Sequence, residues 1–525
     1  MTSDTRNSLQ ALEETGDWNH ALQFLVKLLK TATLVDAQDW HRLGRLHQRL
    51  GAPQKAHRSY QCALCLDSNR PQTFNNLALL ELNCMRPDLA NYWLERGLNS
   101  THLSVDDEEL LQATACDLRL FQLRPDLALI HVQRQLNRRV SVMALVNQSV
   151  CFHKLGRLSD AVCTQERAIK LHLKEKAPHL LGLAYSKLVG QPCFDLESSI
   201  HLQSQLMNLG IYRLCLNPRD SFGLDCLMAG RTNDQSYWLD TRRKLTHWDG
   251  DPTENLIIWD DQGYGDTLQN LSWLIKASEY VESLQVWLRP SLISLVTDRF
   301  ELPINCSIVS MDQQSIPWEK TDHKQVGFFF LPMVLNQWSP LFGQFRQPYL
   351  RAKLFSRSNP INRIGLVWSA GHHQAPQPER SARVRDVPLE SFLRLALAWS
   401  LRSNAQLVSM QLKGHEAPEL QPLLADGRLE VPLNSTDWTA TASELEQLDI
   451  LVTVDTSVAH LAGALGIPTL ILLSSPADWR WGEEGTDTFL YSSVTLARCK
   501  EPGDWSSALV QADNWVNSYI LGLAN

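Results

Sequence analysis

The spacing of apolar positions changes midway along the chain. Up to about Trp248 they recur every three or four residues, the period of amphipathic helices. From Asn255 onward, short apolar runs alternate with polar or glycine-containing turns and helical stretches, the texture of βαβ units in a parallel sheet. The clearest such unit runs from Leu451 to Leu473. It reads as a buried strand, a polar turn at Asp455-Thr456-Ser457, a helix with a face of small residues, and a second buried strand. Ligands of parallel sheets sit beyond the carboxyl ends of the strands. Hydroxyls and free N–H groups at Thr456 and Ser457 would there occupy a helix N-terminus, which favours an anion, most often a phosphate.

A second periodicity organises the helical half. Ala21, Ala56, Ala90, Ala128 and Ala161 are separated by 35, 34, 38 and 33 residues, an interval that marks stacked helical hairpins. One unit carries Trp40, Leu43, Gly44, Gly51, Ala56, Tyr60 and Ala63. Its small residues let two helices approach, and Trp40 and Tyr60 are expected to fill the gap to the next hairpin. The unit around Ala161 repeats the turn glycine as Gly156 and the closing alanine as Ala168, and the unit around Ala90 keeps Leu77, Ala78 and Gly97. This pattern resembles tetratricopeptide repeats, with the unit near Ala128 degenerate. The resemblance implies protein or peptide binding on a concave surface; bracing of the other half is the alternative use. Residues from about Ala177 to Trp248 stay helical in pattern but lose the period.

In the other half, Leu256–Trp259 reads as a strand running into Asp260-Asp-Gln-Gly-Tyr-Gly-Asp-Thr267. The glycines allow close approach to a ligand, but neither a full dinucleotide fingerprint nor a Walker lysine is present. Asp266 falls in the first turn of the following helix. Further strands are expected at Leu284–Leu288, Ile304–Val309, Gly327–Pro332, Arg363–Ser369, Gln406–Gly414 and Asp449–Asp455. Lys413 is placed at the end of its strand, facing the same crevice as Thr456. The domains expected are a repeat array over 1–176, a helical connector over 177–250, a first α/β lobe over 251–350 and a second over 351–525.

Composition narrows the use of these parts. The 525 residues are 44% hydrophobic and 20% charged, with a net charge of −8, values of an ordinary globular chain too long for one core and without the basic bias of nucleic-acid binders. No apolar run reaches the length of a membrane span and the first residues are polar, so a soluble, cytoplasmic protein is expected. Of 11 cysteines, nine precede residue 230. Cys62-Ala-Leu-Cys65 lacks a second ligand pair, and His372-His373 lack a third ligand, so no metal site is expected.

The ordered segments Asp261-Gln-Gly-Tyr-Gly-Asp-Thr267, Ile364–Ser369, Arg385-Asp-Val-Pro-Leu389, Ser409–Gly414, Asp455–Gly463 and Asp478-Trp-Arg-Trp481 together resemble the GT-B glycosyltransferase domain of family 9, that of lipopolysaccharide heptosyltransferases. More distantly they resemble O-linked N-acetylglucosamine transferases. With the repeats, the similarity spans almost the whole chain. It implies a repeat solenoid followed by two Rossmann-like lobes, and inverting, metal-independent transfer of a sugar from a nucleotide-diphosphate donor, a substrate and not a cofactor. By the resemblance Asp266 deprotonates the acceptor hydroxyl. Asp455, Thr456, Ser457, His460, Lys413, Gln411, Ser369 and Arg385 would line the donor site, and Gln262, Gly263, Gly265 and Thr267 the glycine-rich loop. Two departures are visible. The family's usual Glu-Gln-Gly-Leu-Gly-Asp is here Asp261-Gln-Gly-Tyr-Gly-Asp266, which keeps the acid, and after Ser369 both the loop from Gly371 to Arg380 and Arg385-Asp-Val387 differ from the usual pattern, so that the charge of Asp386 could offset Arg385.

Two other readings share these features. One is a non-catalytic repeat scaffold with a degenerate nucleotide-sugar-binding domain. The other is a nucleotide-sugar epimerase, for which a second acid/base pair is missing.

Overall fold

The computed structural model describes residues 3–523 except 15–16, 32–34, 102, 184–187, 189–195, 232–244, 313–322, 336–346, 353–360, 371–384 and 433–435. The chain forms two compact units. One comprises Met1–His153 with Cys163–Leu171, the other Lys154–Val162 with His172–Asn525.

The first unit is an array of antiparallel helix pairs. Ala37–Arg49 pairs with Pro53–Leu66, Pro71–Asn83 with Pro87–Leu98, and Val105–Phe121 with Pro125–Arg138. Four of these six helices begin on a proline, at Pro53, Pro71, Pro87 and Pro125, where its missing N–H costs nothing. The alanines of the 35-residue period are all fully buried, where any larger side chain would hold the helices apart. Gly44 faces the Tyr60 ring so closely that a Cβ would lie 2.4 Å from Cε1. Tyr60 is fully buried, its hydroxyl donating to Gln48 Oε1 at 2.8 Å. It also joins the cluster of Phe74 and Leu77 on the next helix. Trp40 corrects the expectation: it packs with Leu9, Ala21 and Leu25 of the preceding helices. Gly44→Ala should lower stability by about 1–3 kcal/mol through overpacking; a melting temperature equal to wild type would contradict this contact.

The period is also written in the backbone. Gly51, Met85, Leu123 and Gly156 all have positive φ, of 69°, 61°, 57° and 70°. At the first three the same pair of hydrogen bonds closes the helix: Gly51 N–H to Gln48 and Ala52 N–H to His47, Met85 to Leu82 and Arg86 to Glu81, Leu123 to Leu120 and Arg124 to Arg119. This is the Schellman closure, for which glycine is the usual residue. The unit near Ala128 thus keeps the turn and changes only its residue. Leu123→Gly removes a left-handed leucine that is 52% exposed, and the relief of about 1 kcal/mol should raise the melting temperature. A lower melting temperature would show that the leucine is held for its contacts.

The second unit contains two parallel sheets. Strands β1 (Thr253–Trp259), β2 (Val281–Leu288), β3 (Cys306–Ser310) and β4 (Lys324–Gly327) lie in the order β3-β2-β1-β4. Strands β5 (Arg363–Val367), β6 (Gln406–Ser409), β7 (Leu429–Glu430), β8 (Ile450–Val454), β9 (Thr469–Leu473) and β10 (Val494–Arg498) lie in the order β10-β9-β8-β5-β6-β7. Strand order reverses between β1 and β4 in the first sheet and between β5 and β8 in the second. Such reversals open a crevice at the carboxyl ends of the strands.

Three expected strands differ. Ile304 is fully exposed and β3 starts only at Cys306. The run Gly327–Pro332 is not a strand: β4 ends at Gly327, and Phe328, Phe329 and Phe330 turn into the core, with the Phe328 N–H donating to Trp259 O at 3.0 Å. Strand β6 likewise stops at Ser409, which leaves Lys413 on an exposed loop. The connector helices Leu196–Leu216 and Ser221–Arg231 pack tightly through Gly210 and Gly230, where a Cβ would meet Leu227 N and Gln203 O at 2.6 Å. Leu214, Cys215, Leu224 and Leu227 then enter the core that holds β1. Among the described residues no helix is long and apolar enough to cross a membrane.

Candidate functional site

The loop after β1 is held by charge. Asp260 is buried against Arg289, whose Nη2 donates to Asp260 Oδ1 at 2.6 Å and to the Gln262 carbonyl at 2.9 Å. Thr267 Oγ1 donates to the same Asp260 oxygen at 2.6 Å, so Thr267 is a buried brace of the loop. The helix Tyr264–Asn270 starts at Gly263, whose N–H donates to Asp266 Oδ2 at 3.1 Å. Asp266 therefore caps its own helix, with its other oxygen, Oδ1, bound by Arg480 Nη2.

Arg480 belongs to the short helical turn Trp479–Trp481 that follows β9. Its Nη1 donates to Asp478 Oδ1 at 3.0 Å, and its guanidinium lies 4.7 Å from the Trp479 ring centroid and 5.6 Å from that of Phe329. Burial opposes the charge on Arg480, but Asp266 and Asp478 outweigh it and hold the guanidinium firmly protonated. Burial likewise opposes ionisation of Asp478, and the Arg480 charge keeps its carboxyl below the ordinary range. A carboxylate accepts through about four lone-pair sites, so two contacts do not exhaust Asp266.

The helix Ser457–Leu465 starts after β8 and abuts the start of the Asp266 helix. A Cβ on Gly265 would lie 2.9 Å from His460 Cδ2 and 3.6 Å from Ser457 Cα. Both helix starts can come this close because Gly265 has no side chain. Thr456, at the N-cap, makes no side-chain capping bond; its Oγ1 lies 3.2 Å from Thr453 Oγ1. Ser457 is half-buried beside it. Gly463, on the small-residue face, leaves room for the Tyr491 ring, 2.5 Å from where a Cβ would be.

His460 is packed under the start of its helix. It is 5% exposed, its Nδ1 is 2.9 Å from the Tyr491 hydroxyl, and its ring stacks on Trp481 at 5.3 Å. Four residues of helical spacing put it below Thr456, but burial makes it part of the packing between the helix starts. Burial pushes its pKa down to about 4 against Asp455, which pulls the other way. The unfolded imidazole, at 6.5, takes up its proton first, so this stability is present above about pH 6.5 and is lost as pH falls toward 4. Urea midpoints should be lower at pH 5 than at pH 7, with a smaller difference in His460→Gln; an unchanged difference would assign the effect elsewhere.

The remaining expected residues divide into those near the β5/β8 reversal and one apart. Gln411 ties the ends of β5 and β6 together, accepting from Ser369 N at 3.3 Å and donating to Ser369 O at 3.1 Å. Asp455 is 7% exposed, and Arg385 Nη1 lies 3.4 Å from both its Oδ2 and its carbonyl oxygen. Asp386 accepts from Ala370 N at 2.8 Å. Lys413 is exposed on its loop. Gln262 contributes its carbonyl to Arg289, as described. His372, His373 and the rest of 371–384 lie outside the described residues. Cys62 is half-buried and Cys65 exposed, and among the described residues no group of three potential ligands is placed to hold a metal ion.

Sequence reading assigns no role to Arg480, Asp478, Arg289 or Tyr491. The first two belong to the segment Asp478-Trp-Arg-Trp481 that the resemblance includes, a few residues past the carboxyl end of β9.

No family model matches the chain, and no curated protein matches it. Among solved structures, MamA is similar at 17% identity, covering 32% of this chain and 95% of its own, with a TM-score of 0.27. The pilF protein of Pseudomonas aeruginosa is similar at 15% identity, covering 42% and 96%, with a TM-score of 0.29. A thermophilic TPR protein of Thermus thermophilus is similar at 14% identity, covering 39% and 98%, with a TM-score of 0.30. At scores this low the description of the helical array as tetratricopeptide-like rests on its own period, buried alanines and repeated turns.

Proposed function

We propose that the α/β unit is an inverting glycosyltransferase of GT-B type that takes a nucleotide-diphosphate sugar, and that the helical array recruits the acceptor. One observation carries the reading: the loops beyond the β1/β4 and β5/β8 reversals meet, so that the Asp266 turn lies against the Thr456-Ser457 helix start. A donor diphosphate at that helix start would be met by free backbone N–H groups and the positive end of the helix dipole. Arg385, held to Asp455 only at 3.4 Å, is the nearby cation able to turn toward it. Asp266 then stands across the crevice as the base for the acceptor hydroxyl. Metal independence is carried by the family resemblance, with the helix start and cationic side chains stabilising the leaving diphosphate.

A binding module without catalysis is the competing reading, favoured by the two structural contacts that already engage Asp266. Thermal shift of the full chain against UDP-, GDP-, ADP- and dTDP-linked hexoses tests the donor site, because a ligand bound only by the folded state raises its stability. At least one donor should raise the melting temperature, and Thr456→Val with Ser457→Ala should reduce that rise. Binding with no release of nucleoside diphosphate would leave the binding module as the better account.

A further inference from the structure

Arg480 has three separate anchors, and all of them fix the direction in which it meets Asp266. Asp478 accepts from its Nη1 at 3.0 Å and also from its backbone N–H at 3.1 Å, while Trp479 and Phe329 line the guanidinium. The residue is only 15% exposed at its side chain and Asp266 16%. An arginine so enclosed is a poor partner for solvent and a rigid partner for one carboxylate. On the other side, the Gly263 N–H fixes Asp266 Oδ2. Asp266 and Arg480 lie 214 residues apart in sequence, so the carboxylate is oriented by both sheets' loops at once.

We propose that Arg480 is a positioning residue that acts through Asp266, holding its carboxylate in one orientation toward the acceptor hydroxyl. This rests on the glycosyltransferase reading for its role in transfer. In the step it serves, the acceptor oxygen forms a bond to the anomeric carbon as the bond from that carbon to the diphosphate oxygen breaks. The hydroxyl proton passes to Asp266, and the electron pair leaves with the nucleoside diphosphate. Because Arg480 touches Asp266 and not the reacting atoms, its removal should displace the base without removing it.

Two measurements on the full chain test this. With whichever hexose donor of the panel the wild-type protein turns over, Arg480→Gln should lower kcat/KM by about a hundredfold, the scale of a misplaced catalytic group. The loss should fall on kcat with the donor KM little changed, because Arg480 orients the base and does not hold the donor. Arg480→Lys should recover part of the lost kcat. A loss carried by a raised donor KM with kcat kept, or no recovery in Arg480→Lys, would overturn the proposal and leave Arg480 a structural residue. Alongside, melting temperatures of Arg480→Lys, Asp266→Asn and the double variant form a cycle that needs no substrate and stays usable if Arg480→Gln fails to fold. The double variant should lose less than the two single losses combined; additive losses would overturn the contact itself. If no donor is turned over while the cycle shows coupling, the glycosyltransferase reading fails, the contact stands, and the positioning role falls with the reading.

Discussion

Under the proposed glycosyltransferase reading, Asp266→Asn should cut sugar transfer by orders of magnitude while leaving donor binding in place. The substitution is nearly isosteric and keeps an oxygen that can accept from the Gly263 N–H, so the cap on the Tyr264–Asn270 helix survives. What is lost is the negative charge opposite Arg480 and the ability to take a proton. General-base catalysis contributes about 10²–10⁴-fold, and kcat should fall within that range. Donor affinity should change little, because the Thr456-Ser457 helix start belongs to a different loop. Steady-state kinetics with donor titration on wild type and variant checks both halves. Unchanged kcat would remove Asp266 from the chemistry and leave it a capping residue; weakened donor binding with kcat preserved would place it in the donor site instead.

Arg299→Met should cost more stability than any other single change considered. Arg299 lies at the end of the helix Pro290–Arg299, beside the first sheet, and pairs with Glu446 at the end of the helix Trp438–Leu445, beside the second. Their side chains are 8% and 1% exposed. Arg299 Nη2 reaches Glu446 Oε2 at 3.2 Å, and Nη1 donates to the Arg351 carbonyl at 3.1 Å. Removing one member of a buried ion pair costs about 3–5 kcal/mol, because the remaining charge has been taken out of water. The melting temperature of the α/β unit should therefore drop by several degrees. Replacing both, as Arg299→Met with Glu446→Leu, should restore most of the loss, since a buried apolar pair is often no worse than a buried ionic one. A double variant as unstable as the single one would show that the arginine's bond to the Arg351 carbonyl, and not the charge pair, carries the stability.

What is legible in the sequence follows from which features are local. The buried alanines at Ala56, Ala90 and Ala128 reveal the helical array because small size is required at each close crossing. The strand, polar turn and helix around Thr456 are all set between Leu451 and Leu473, so their pattern survives in one dimension. The left-handed turns at Met85 and Leu123 stay hidden because neither residue is the glycine such turns usually use. The three phenylalanines after Gly327 read as a strand because an apolar run looks the same whether it extends a sheet or folds back into its core. Helical spacing puts His460 on the face below Thr456 but does not say what covers that face; Tyr491 and Trp481 cover it. The segment Asp478-Trp-Arg-Trp481 is visible in the sequence, but the pairing of Arg480 with Asp266 is not: the partner lies on a distant segment, and no local pattern records it.

Whether the full chain moves a sugar decides between a transferase and a binding module. Incubated with the hexose donor that gives the largest thermal shift and a panel of peptide and glycan acceptors, the wild-type protein should release nucleoside diphosphate and form a product whose anomeric configuration, read by proton NMR, is inverted from that of the donor. A product of retained configuration, or a donor that binds without ever being cleaved, would contradict the inverting mechanism built on Asp266.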